Sequence, residues 1–112
     1  MDITDWRTRI DEVDRRILEL LNERARYVLE LAPLKRRDAV PVREPKREAE
    51  VFANLESLNE GPLTNQAVRG VFERIMEIMR GVQQSADPLN GDATESATKA
   101  PAEKSGKGSN LP

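Results

Sequence analysis

The sequence predicts an all-α chain with three helices, the first of them very long, built to associate with a second copy. Three observations carry this. Apolar residues recur at three- and four-residue steps through three separate stretches, and no alternating strand pattern competes with them. Proline and glycine fall between the stretches, except for Pro33 and two single glycines, Gly70 and Gly81. The first stretch is longer than a compact body of this size can cover.

The first helix is expected from about Thr4 to Lys35. Ile10, Val13, Ile17, Leu20, Leu21, Val28 and Leu31 form its stripe, and Pro33, which lacks a backbone donor, is expected to kink or loosen its last turn. Pro41 then holds the linker RRDAVPVRE extended. The second helix opens at Glu44-Pro45, with proline at the favoured first position, and ends near Asn59-Glu60-Gly61-Pro62. Thr64 is the expected N-cap of the third, with Leu63 and Val68 placed to staple across it. Val68, Val71, Phe72, Ile75, Met76, Ile78 and Met79 carry that helix to about Gln84.

Composition changes near Ser85. Residues 85–112 hold three of the seven prolines and three of the six glycines but no aromatic or β-branched aliphatic residue. Such a segment buries too little to offset chain entropy, so it is read as a disordered tail behind a folded body of residues 1–84.

A helix of about 32 residues is about 48 Å long, whereas a compact domain of this size has a radius of gyration near ~12 Å. The stripe on the first helix therefore needs a second chain to cover it, and a homodimer packed through the long helices is expected.

Among 112 residues, 34% are charged, and there is no cysteine and no histidine. Thiolate and imidazole chemistry, disulfides and Cys/His zinc sites are excluded. The net charge of -2 gives no global basic field for nucleic acid. No apolar run is long enough to span a membrane, and the polar, acidic start lacks a signal-type apolar stretch, so a cytoplasmic protein is expected. Within the body, arginine supplies 13 of the 15 positive charges, which suits bidentate recognition of carboxylate or phosphate.

Helical geometry sorts these charges. At ~100° per residue, Arg24 and Lys35 fall within ~20° of each other, while Arg7 lies ~100° from Arg24. Arg7 is thus better placed to serve a partner's pocket than its own. Arg24 sits where the stripe calls for leucine, which implies a ligand, or an internal salt bridge to Glu48 or Asp14. Glu44, Arg47 and Glu48 share one face of the second helix, as a binding wall or as a surface ion-pair ladder. Met79 and Gln83 share a face of the third, where Gln83 by default points to solvent. Together these groups suit a small dianion bearing a hydroxyl group, and they offer no nucleophile.

The ordered set WRTRIDEVDRRILELLNERARYVLELAPLK, VPVREPKREAEV, NEGPL and VFERIMEIMRGVQQ resembles the all-helical (AroQ-type) chorismate mutase family over about residues 4–84. The resemblance implies an intertwined homodimer with two sites. Each would convert chorismate to prephenate by a [3,3] rearrangement, in aromatic amino acid biosynthesis, without cofactor or metal. It implies that Arg24 binds one substrate carboxylate and Arg7 of the partner chain the other. Lys35 and Gln83 would donate to the ether oxygen, Glu48 would accept from the ring hydroxyl, and Arg47 and Glu44 would complete the wall. Met79 stands where the family often has a small hydroxyl residue, and Glu44 where aspartate is common. Two alternatives stay open. One is a lyase splitting pyruvate from isochorismate on the same fold. The other is a non-catalytic dimeric helical regulatory module. A variant of the mutase reading has a shikimate-pathway enzyme as its partner.

Overall fold

A computed structural model of the chain describes residues 1–86. They form three helices joined by two short connections: α1, Ile3–Arg37; α2, Pro45–Leu58; and α3, Asn65–Ser85. The all-helical expectation holds, with boundaries within two residues of those read from the sequence. The expected tail lies outside the described residues from position 87 onward, and α3 runs through its first residue, Ser85.

Local chemistry explains each end. Asp2 caps α1: its carboxylate accepts from the Asp5 amide at 3.0 Å, while the Asp5 carboxylate accepts from the Asp2 amide at 3.0 Å. That reciprocal pair also puts negative charge at the positive end of the helix dipole. Lys35, Arg36 and Arg37 put positive charge at the other end. Thr64 caps α3 as expected, its hydroxyl accepting from the Ala67 amide at 3.0 Å. Leu63, placed to staple that cap, remains exposed.

Pro33 does not end α1. The helix continues four residues beyond it, to Arg37. Proline removes one donor, but the following turn is closed by other bonds: Asp38 N to Leu34 O at 3.0 Å, Ala39 N to Arg36 O at 3.2 Å and Val40 N to Lys35 O at 2.8 Å. The chain leaves this end through Ala39 in the left-handed region, at φ 59°. At the second corner Asn59 acts as a latch. Its amide donates to Leu63 O at 2.9 Å and to Asn65 Oδ1 at 2.7 Å, and its oxygen accepts from the Gly61 amide at 3.0 Å. Gly61 has φ 81°, a conformation that favours glycine.

Helix α3 is the hub. Both α1 and α2 pack on it. Ala32, Phe52, Met76 and Met79, drawn from all three helices, are the buried hydrophobic residues among those described. The chain is an open slab, 53 × 37 × 17 Å, with a radius of gyration of 16.7 Å. A compact chain of this length would have about 12 Å. The N-terminal half of α1 reaches past the other helices and leaves Ile3, Trp6, Ile10, Val13, Ile17 and Leu20 exposed along one side. None of the helices among the described residues is long and apolar enough to cross a membrane.

A side chain in the left-handed region costs about 1 kcal/mol relative to glycine. Ala39→Gly is therefore expected to raise stability by up to about 1 kcal/mol, less what the added backbone freedom gives the unfolded chain in entropy. Urea denaturation followed by circular dichroism measures this.

Candidate active site

The C-terminal half of α1, the start of α2 and the last turns of α3 enclose a pocket of about 330 Å³. Arg24, Tyr27, Val28, Leu31 and Lys35 enter it from α1. Val42 and Glu44 come from the linker, and Arg47, Glu48 and Val51 from α2. Met76, Met79, Arg80 and Gln83 come from α3. Seven of the eight sequence-selected residues, Arg24, Lys35, Glu44, Arg47, Glu48, Met79 and Gln83, thus meet in one cavity.

Arg7 does not join them. It is exposed on the free half of α1, seventeen residues before Arg24, which is about 26 Å along the helix. At that distance it cannot reach this pocket within its own chain.

Lys35 is 7% exposed although it carries an ammonium group. Burial of that charge is offset by two partners: Nζ donates to Val42 O at 3.1 Å and pairs with the Glu44 carboxylate at 2.8 Å. Arg24 is half-buried, and no ion pair forms between it and Glu48 or Asp14. Glu48 is taken by Arg80, and Asp14 is exposed. Burial and, second, the neighbouring Arg47 guanidinium pull the Arg24 group below the usual arginine range. Two like charges brought together without a shared carboxylate favour an anionic ligand between them.

The carboxylates of α2 do not form a surface ladder. Glu44 turns to Lys35 and Glu48 to Arg80 at 2.6 Å, while Arg47 pairs loosely with Glu50 at 3.6 Å. Gln83, which helix position alone would leave at the surface and the resemblance would put in the site, is 8% exposed, because α3 packs this face against the other two helices. Its Oε1 has no hydrogen-bond partner. A buried amide that is not fully satisfied is uncommon outside functional sites. Met79 beside it supplies an apolar wall rather than a hydroxyl. Tyr27 stands at the mouth and donates to Glu23 at 2.8 Å. That bond, then the Glu23 charge, raises the tyrosine above its ordinary value.

Sequence reasoning misses Arg80. A signal is present: it continues the row Phe72, Met76 on the inner face of α3, where a further apolar residue would be expected, as Arg24 does on α1. With Arg80 included, four cations face two carboxylates across the cavity. The excess of two positive charges matches a dianion. No group of acidic residues able to hold a metal ion occurs among the described residues.

The family description "Chorismate mutase type II" matches residues 6–84. The bifunctional chorismate mutase/prephenate dehydratase of Stutzerimonas stutzeri is 39% identical over 83 residues, covering 70% of this chain and 23% of that protein. The corresponding protein of Pseudomonas aeruginosa is 37% identical over 83 residues, with the same coverage of 70% and 23%. The chain thus spans about a quarter of the length of these bifunctional relatives. The form II chorismate mutase of Thermus thermophilus superposes with a TM-score of 0.73 at 35% identity, covering 76% of this chain and 97% of that one. In sequence over nearly all of its described helices, and in the fold that brings its charged residues together, this chain belongs to the chorismate mutase type II family.

Proposed function

We propose that this protein is a chorismate mutase, converting chorismate to prephenate. The observation that carries the reading is the convergence of Arg24, Lys35, Arg47 and Gln83 on one cavity with an excess of positive charge. The reaction is a unimolecular six-electron shift. The ether C–O bond breaks while a C–C bond forms between the enolpyruvyl methylene and the ring, and no proton leaves or enters. A protein can accelerate it in two ways: by holding the compact conformer and by stabilising negative charge on the ether oxygen as that bond lengthens.

Each role fits a group in the pocket. Arg24, with Arg47 nearby, takes a carboxylate. Lys35 is held by Val42 O and Glu44, and its remaining donor capacity is directed at the ether oxygen. Gln83 gives a neutral donor to the same oxygen, and its amide donates at any pH. Glu48 accepts from the ring hydroxyl. Met79 and the apolar residues exclude water, which strengthens these interactions.

The second substrate carboxylate calls for Arg7 of a second copy. The exposed row Ile3 to Leu20 on α1 supports a homodimer, because a patch of this kind rarely stays open to water. In such a dimer the free half of α1 carries Arg7 to the partner's cavity. Sedimentation is expected to give twice the chain mass at micromolar concentration. A stable monomer would leave the second carboxylate without its arginine.

The direct test is loss of chorismate absorbance with purified protein, beside a parallel reaction with isochorismate. Prephenate from chorismate is expected. Salicylate and pyruvate from isochorismate, with chorismate unchanged, would replace this reading by a lyase on the same fold. Turnover of neither substrate would favour a non-catalytic helical module. Lys35→Ala and Arg24→Ala should each lower kcat/KM by about 10²–10³-fold while circular dichroism shows the helices retained. Gln83→Glu should make activity pH-dependent. A carboxyl donates only when protonated, so the rate of this variant should rise as pH falls, while that of the wild type stays level.

A further inference from the structure

We propose that Arg80 is a positioning residue that holds the Glu48 carboxylate toward the substrate's ring hydroxyl, an inference that rests on the chorismate mutase reading. Its Nη1 donates to Glu48 Oε2 at 2.6 Å across the α2–α3 junction, with the two side chains only 27% and 20% exposed. This is a short, charge-assisted bond in a partly dry setting, where it fixes direction as well as charge.

The need for such a bond is visible on the far side of the pair. Glu48, Arg80 and Met76 line a second cavity of about 480 Å³, which also holds Arg43 and Arg74. The Arg80–Glu48 pair is therefore the partition between two spaces. Arg74 is engaged by Glu77 at 2.7 Å, whereas Arg43 has no carboxylate partner among the described residues. Without Arg80, the Glu48 side chain has an alternative cation on the outer side and no cation of α3 holding it at the inner one. Arg80 lies one residue after Met79 and one turn before Gln83, so the helix that supplies the ether-oxygen donor also sets the hydroxyl acceptor.

The hydroxyl is not among the atoms whose bonds change, so chorismate lacking it can still rearrange, and that analogue isolates the contact. Arg80→Met and Arg80→Lys are assayed with both substrates, with circular dichroism as a check on folding. For chorismate, Arg80→Met is expected to lose about tenfold or more in kcat/KM, mainly through KM, and Arg80→Lys to recover part of the loss. The analogue without the hydroxyl keeps both carboxylates and shares any loss that comes from the missing pocket charge, so the same substitution should lower its kcat/KM at least about threefold less than it lowers that of chorismate. Should Arg80→Met fail to fold, the same comparison of substrates is read on Arg80→Lys. Equal losses on both substrates would overturn the proposal and make Arg80 a general anion contact or a structural strut. No loss on either would overturn it as well. A wild-type protein that leaves chorismate untouched would remove the mutase reading and this one with it, before any variant is compared.

Discussion

Burying the ammonium of Lys35 is the constraint on which the site depends. A charge taken this far out of water needs a partner of opposite sign and a second acceptor, and both come from the chain that follows α1. The linker supplies them within nine residues, through Val42 O and Glu44. Meeting that demand turns the backbone sharply at Ala39 and delivers α2 with its inner face toward α3. The pair is thus a corner brace and a functional group together. Arg47 and Glu48 are placed where they are because Glu44, one turn earlier, is already tied.

Much of this is legible in the sequence because helices convert spacing into direction. Arg24 and Lys35 share a face by simple arithmetic over eleven residues, and they do line one cavity. The cap at Thr64, the opening at Pro45 and the seventeen-residue gap that keeps Arg7 out of its own chain's pocket are equally readable. These are local properties that the backbone period determines.

What is not legible depends on contacts between helices. Helical spacing alone does not place Gln83 inside, because one glutamine near a helix end gives no sign of which neighbour will cover it; only the family resemblance points it into the site. The partners of Glu44 and Glu48 are hidden for the same reason: on α2 alone they form a ladder with Arg47, and only the approach of α1 and α3 offers better cations. Pro33 is legible as one weakened position in a helix that the sequence already carries past it to Lys35. Its cost is one missing donor near the end of a helix, where donors and acceptors are already being handed to the loop, so the helix runs on. Arg80 follows the same pattern as Arg24, a cation in an apolar row. It escapes notice because the row on α3 reads as a core and nothing else.

The unpartnered oxygen of Gln83 has a consequence of a different kind. Together with the neighbouring guanidinium groups of Arg24 and Arg47, it leaves the pocket of the free protein with an unpartnered amide oxygen beside two like charges. An apolar residue at position 83 would suit the fold alone better, since an unsatisfied buried polar group costs on the order of 1–3 kcal/mol. Changes that optimise the free protein for heat resistance would therefore tend to erode this corner first. A variant selected only for a high melting temperature would drift toward a sturdier bundle of helices with nothing left to grip a dianion.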